Sequence, residues 1–428
     1  VSRRPSMTFA ALCLSVPLLR AVGELGFVEP TPVQAAAVPA ILRGGDVWAS
    51  ARTGSGKTAA FLLPILEGLA SRPSPASERP VRALVLVPTH ELAIQIGDAT
   101  QRFGQHLSVP PKKRPPKVCV AIGGISINPQ MLALRGGADV VVATPGRLLD
   151  LVERNALQLS DLEVLVLDEA DRLFSLGFAE ELARVLALLP AQRQNLLFSA
   201  TLPPAVLELA ERILRDPTRI DIDAGQTASA ASIEQRAIFV DAGRRTALVR
   251  HLLEVHGWSQ VLIFVASQHN AEHVATKLAR ASLAAAPLHG GLSAGARSQA
   301  LADFKAKRVA VLVATDLAAR GLDIEELPAV INYDLPRSPT EYLHRIGRTG
   351  RAAATGTAIS FVSAATAPHF WLIEKRHQLS IALEQLPGFE PVELDVPAPD
   401  PGGGVKGRRK SKKDKLREAA ARRGGRSD

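Results

Sequence analysis

The chain has 428 residues, too many for one ordinary hydrophobic core, so two domains are expected. Apolar side chains make up 46% and charged ones 22%, and the two cysteines, Cys13 and Cys119, exclude a disulfide framework or a zinc site and fit a reducing compartment. No apolar run approaches the ~18 residues of a membrane span and no secretory leader pattern is visible, so a cytoplasmic protein without membrane association is expected.

Residues 1–7 carry no fold signal and are expected to be disordered. "GFVEPTPVQ" (26–34) reads as a Pro-bounded helix start, and the Gln34 amide, donor and acceptor in one group, suits the edges of adenine. The short apolar piece "DVWAS" then runs into "ARTGSGKT" (51–58), which opens a helix. Its glycines let backbone N–H groups face phosphate. Lys57 reaches the β/γ-phosphates, and the Thr58 hydroxyl suits Mg²⁺. The usual loop starts with Gly, and here Ala51 stands in that place.

Short Val/Leu-rich runs follow at 83–89, 118–124, 139–145, 164–171 and 195–201, with helical patterns such as "TAAFLLPILEGLAS" and "ELARVLALL" between them. Runs without clean alternation read as parallel strands buried on both faces, so the class is α/β. One run, "VLVLDEAD", ends in carboxylates. Asp168 can hold Mg²⁺ and Glu169 can orient and deprotonate an attacking water, whereas a lone Asp there would read as a helix cap. Small polar residues at 222–236 read as a linker. Strand-like runs then restart at 260–267, 309–316, 329–334 and 356–363. "HRIGRTGR" (344–351) spaces three arginines at i, i+3 and i+6, a solvated basic face unless the fold says otherwise. From residue 386 onward a disordered tail is expected. Lys406–Asp428 holds 11 of the 51 basic and 3 of the 42 acidic side chains, so the body is near neutral and the tail attracts polyanions.

Taken together, the ordered series "GFVEPTPVQ", "ARTGSGKT", "PTHELA", Gly123–Gly124, "TPGR", "DEAD", "SAT", "VATDLAARGLDI" and "HRIGRTGR" resembles the DEAD-box ATP-dependent RNA helicases of superfamily 2, in particular their bacterial RhlE-type branch, over about residues 8–385. The resemblance implies two tandem RecA-like domains, 8–221 and 237–385, joined by the 222–236 linker and closing over ATP–Mg²⁺ and single-stranded RNA. It implies that Phe9 packs near the adenine read by Gln34, and that Gly54, Ser55, Gly56, Lys57 and Thr58 bind phosphate. Asp171 is linked to Ser199 and Thr201, with His344 in the same interdomain network. Gly321 and Asp323 face the nucleotide, and Arg348 and Arg351 the γ-phosphate. RNA is implied at Pro88, Thr89, Gly124, Thr144, Arg147, Arg297, Thr315 and Asp316, through backbone contacts of little sequence preference. Arg345 is left between an interface and an RNA-side role. The activity implied is RNA-stimulated ATP hydrolysis with local duplex separation, or an ATP-gated RNA clamp with little net unwinding. Partners would be ribosome-assembly or RNA-decay proteins. Two departures stand out. His90 occupies a position the family usually fills with Arg, and Ala294 one it usually fills with Gln. Both predict a weaker RNA grip by the core, offset in part by the tail.

Overall fold

A computed structural model of the chain describes residues 8–51, 54–72, 79–110, 114–222, 233–319, 327–350 and 356–392. The first sheet comprises β1 (Val47–Ser50), β2 (Ala83–Leu86), β3 (Val118–Ala121), β4 (Val140–Ala143), β5 (Val164–Leu167), β6 (Gln194–Ser199) and β7 (Thr218–Asp221), in the order β3-β4-β2-β5-β6-β1-β7. The second comprises β8 (Ile233–Phe239), β9 (Val261–Val265), β10 (Ala285–Leu288), β11 (Val311–Thr315), β12 (Ala329–Asn332), β13 (Gly356–Val362) and β14 (Leu383–Glu384), in the order β10-β11-β9-β12-β13-β8-β14. Counted from β8, the second order repeats the first, and every strand pairing is parallel.

The apolar runs form the inner strands because both faces of each sheet are covered. Val85 and Val166 face one core, with Phe61 and Ile96, while Leu84, Leu86 and Leu165 face the other, with Leu148 and Val185. The strands missing from the sequence reading lie at or near the sheet edges. Only Ile220 of β7 is buried, and β10 carries Pro287, which an edge tolerates.

Two boundaries differ from the sequence expectation. The linker ends before Ile233, because 233–236 are already strand and pair with Gly356–Ile359 of β13. These residues look like linker because their polar groups make specific contacts: Arg236 pairs with Glu384 at 2.7 Å, and Tyr342 Oη donates to Gln235 Oε1 at 3.1 Å. The fold also continues past residue 385. Leu386 and Phe389 pack on the second core, the Arg244 guanidinium lies 5.3 Å from the Phe389 ring centre, and Val392 N donates to Asp241 Oδ2 at 2.9 Å. Residues 1–7 and 393–428, which hold the basic run, lie outside the described residues.

Candidate functional site

The sheet order sorts the motifs. In the first domain β5, β6 and β1 lie side by side, and their carboxyl ends lead into "DEAD", "SAT" and the glycine loop. On the other half lie β3, β4 and β2, leading into Gly123–Gly124, "TPGR" and "PTHELA". Open parallel sheets bind ligands beyond these strand ends. Nucleotide-type and RNA-type residues therefore occupy adjacent halves of one edge.

On the first half, Ala51 N donates to Ser199 O at 3.1 Å, tying the glycine loop to β6. Gly54 and Gly56 have φ of 75° and 93°, conformations that favour glycine. A Cβ on Gly56 would meet Gln34 Nε2 at 2.4 Å. Gln34 Nε2 donates to Gly56 O at 3.1 Å, and its Oε1 accepts from Thr31 N at 2.9 Å at the start of the helix Pro32–Leu42. Each amide atom keeps a second donor or acceptor position, enough for one purine edge. Phe9 is buried, edge-on to Phe27 with ring centres 6.4 Å apart. Lys57 Nζ, on the first turn of the helix Lys57–Ser71, donates to Ala51 O at 2.7 Å, curling over the loop. Thr58 is half-buried beside it, and the buried Ser55 Oγ lacks a hydrogen-bond partner among the described residues.

Asp168 is 3% exposed, and its Oδ1 accepts from Glu169 N at 2.9 Å. Burial pushes its pKa up to about 6, opposed by the Lys57 charge and reinforced by Glu169 and Asp171. Glu169 is buried at φ 52°, a left-handed conformation costly for a side chain of this kind. Asp171 Oδ2 accepts from Thr201 N at 3.1 Å and Oγ1 at 2.6 Å, and Ser199 Oγ accepts from Asp171 N at 3.2 Å, so the expected link between the two motifs is present.

The second domain reaches this site through the helix Pro339–Ile346. Arg172 Nη2 donates to His344 Nδ1 at 2.6 Å. Burial, then the charge of Arg172 and more weakly those of Arg348 and Lys57, hold His344 far below its ordinary pKa, with Asp171 opposing. Arg348 is 3% exposed. Arg345 is also buried: its Nε and Nη2 fork both carboxylate oxygens of Asp316, at 2.5 and 2.7 Å, and its Nη1 donates to Asn332 Oδ1 and Asp334 O. Arg345 and Arg348 therefore do not form a solvated basic face, and the Asp316 side chain is held in an ion pair with Arg345. Arg351, Gly321 and Asp323 lie outside the described residues.

On the other half, Pro88 and Thr89 are buried, and Thr89 Oγ1 accepts from Leu92 N at 3.3 Å, capping the helix His90–Gly104. Gly124 is exposed with φ 68°, Thr144 begins the helix Pro145–Glu153, and Arg147 Nη2 donates to Ile125 O at 2.8 Å. Thr315, half-buried, ends β11. Arg297 of the second domain crosses to this face, with Nη1 at 2.7 Å from Glu91 Oε1 and Nη2 at 3.5 Å from His90 Nδ1. Burial holds His90 below its ordinary pKa, Glu91 opposing and Arg297 and Arg147 adding to the shift. Sequence reasoning missed Arg172 and Glu91. Arg172 directly follows "DEAD", and Glu91 lies inside "PTHELA", so position beside a motif was the available signal.

Among the described residues no helix is long and apolar enough to cross a membrane, and no group of three or more His, Cys, Asp or Glu could hold a metal ion by itself. The family model "DEAD/DEAH box helicase" matches residues 31–209, and "Helicase conserved C-terminal domain" matches 244–353. The chain is 41% identical over 385 residues to "ATP-dependent RNA helicase DeaD" of Mycobacterium tuberculosis, covering 90% of this chain and 66% of the relative. It is 40% identical to "ATP-dependent RNA helicase DRS1" of Candida glabrata, covering 84% of this chain and 49% of the relative. The chain thus spans about half to two-thirds of the length of these curated relatives. The structure of S. cerevisiae Dbp5 bound to RNA and ADP BeF3 superposes with a TM-score of 0.75 at 30% identity, over 90% of this chain and 96% of that one. The two sheets are therefore tandem RecA-like domains, and the chain belongs to the DEAD-box RNA helicase family.

Proposed function

We propose that this chain is an RNA-dependent ATPase that closes its two domains over ATP and single-stranded RNA to separate short duplexes or remodel RNA–protein complexes. One observation carries the reading. The nucleotide-type half and the RNA-type half of one sheet edge are each met by a residue of the second domain, His344 at Arg172 and Arg297 at Glu91. Both ligands then favour one closed state, which is what couples them.

The glycine loop, with Ser55 and Lys57, would cradle the phosphates, and Gln34 beside Phe9 would read adenine. The residues fit Mg²⁺ held together with nucleotide: burial disfavours the charge on the Asp168 carboxylate, which a cation beside it would stabilise, and the Thr58 hydroxyl stands on the loop's helix. Mg²⁺, held by Thr58 and Asp168, would supply charge neutralisation on the phosphates. Glu169 would orient the attacking water and accept its proton. Arg348, with Arg351, would face the γ-phosphate as a finger in cis, and Gly321 and Asp323 would face the nucleotide. RNA would run over Pro88, Thr89, Gly124, Thr144, Arg147, Arg297 and Thr315, met largely at its backbone. "GGISINPQMLALRGGADVVVATPGRLLDL" (123–151) and "RGLDIEELP" (320–328) support placement in the bacterial RhlE-type branch. Ribosome-assembly or RNA-decay proteins are the partner classes the family suggests.

The test compares ATP hydrolysis with matched RNA and DNA oligonucleotides, beside strand displacement of a short duplex. RNA should stimulate hydrolysis by roughly a decade or more and DNA should not, since 2′-OH contacts discriminate the two. Equal stimulation by DNA overturns the RNA assignment. RNA-stimulated hydrolysis without displacement favours a clamp over a helicase.

A further inference from the structure

Arg172 belongs to none of the motifs, yet it lies between the proposed base and the other domain. It is 4% exposed, on the short helix Ala170–Ser175. Its Nη1 lies 3.2 Å from Glu169 Oε2, and its Nη2 donates to His344 Nδ1 at 2.6 Å. One planar fork is thus divided between a carboxylate of the first domain and an imidazole of the second. A buried guanidinium requires acceptors for its N–H groups, and leaving one unpaired costs more than an exposed pair contributes. When His344 is absent from Nη2, the acceptor at hand is the second oxygen of Glu169, because guanidinium and carboxylate pair most strongly as two parallel bonds. In the closed arrangement Glu169 Oε1 has no hydrogen-bond partner among the described residues.

We propose that Arg172 is a positioning residue that reports domain closure to Glu169: arrival of His344 takes one arm of the guanidinium, holds Glu169 by a single oxygen and leaves the other oxygen for the attacking water. The inference deepens the proposed ATPase reading and rests on it. It gives the closed state a second requirement besides arginine delivery. The base is oriented only once the second domain has docked. His344 accepts here through Nδ1, so its proton sits on Nε2.

The experiment measures ATP hydrolysis of the full chain with saturating RNA for the wild type, Arg172→Gln, Arg172→Lys, His344→Ala and the Arg172→Gln/His344→Ala pair. Affinity for a fluorescent ATP analogue is measured for each. Arg172→Gln should lower kcat by roughly 10- to 100-fold, in the range of misplaced catalytic groups. KM for ATP and analogue affinity should stay within about threefold, since loss of orientation acts on kcat. Arg172→Lys, which keeps a donor but not the fork, should recover part of the rate. The double variant should be no slower than the slower single variant by more than about threefold, because both changes break one chain of contacts. A kcat within about threefold of wild type for both Arg172 variants, or losses that multiply in the double variant, overturns the relay. A merely structural role would weaken analogue binding along with kcat, which also overturns it. Wild-type protein without RNA-stimulated hydrolysis overturns the functional reading itself and is seen before any variant is compared.

Discussion

Replacing Arg345 by leucine removes a buried cation of the second domain that holds several acceptors at once. Its guanidinium is 2% exposed, forks both oxygens of Asp316, bonds to Asn332 Oδ1 at 3.1 Å and Asp334 O at 2.6 Å, and lies 4.9 Å from the Phe264 ring centre. Leucine fills part of the volume but leaves the Asp316 carboxylate and two further acceptors without these donors. Breaking a buried pair on one side costs about 3–5 kcal/mol. For a domain of this size that lowers its melting point by roughly 6–20 °C. The assay is thermal unfolding of the full chain followed by Trp258 and Trp371 fluorescence, in a Trp48→Phe background that silences the first domain. Arg345→Leu/Asp316→Leu should recover a large part of the loss, since removing both charges avoids an unpaired one. A shift below about 2 °C for the single variant would return Arg345 to the solvated-face reading and refute the ion-pair argument.

Gly56→Ala should weaken ATP-analogue affinity by more than about tenfold in calorimetric titration, because the new Cβ would meet Gln34 Nε2 at 2.4 Å on a φ 93° backbone costing about 1–3 kcal/mol. His90, faced by Glu91, Arg297 and Arg147, has a folded pKa held below its ordinary value. Its neutral form therefore stabilises the fold above the ordinary value of 6.5, and that contribution is lost as pH falls through the folded value. Unfolding midpoints at pH 7 and pH 5 should accordingly diverge more for the wild type than for His90→Gln, and equal acid losses would remove His90 as the cause. Truncation after Gly404 deletes the 11 Lys/Arg of the tail and should lower RNA affinity at low salt and flatten its salt dependence. Unchanged affinity at low salt would end the idea that the tail offsets His90 and Ala294.

The inner strands were legible because Val/Leu runs such as "VLVL" are buried on both faces, and the carboxylates following them mark the ligand edge. Edge strands were hidden because their residues are half solvated, as in Thr218–Asp221, or carry proline, as in Ala285–Leu288. The start of β8 was hidden for another reason: Gln235 and Arg236 satisfy Tyr342 and Glu384, contacts between residues 107 and 148 positions apart that no local pattern encodes. The same holds for the site. Gln34, Lys57 and Asp168 sit in local motifs, whereas Arg172 acquires meaning only from His344, 172 positions away. The Arg345–Asp316 pair likewise joins two motifs that the sequence shows separately.

The central claim is that one catalytic site is divided between two domains and completed by closure. It is tested most directly by RNA-stimulated ATP hydrolysis of Arg348→Ala beside the wild type, with binding of a fluorescent ATP analogue measured on both. Loss of an arginine finger supplied in cis should lower kcat by roughly three to five decades while the first domain still binds the analogue. Near-normal hydrolysis by Arg348→Ala would contradict the claim and leave the second domain outside the chemistry.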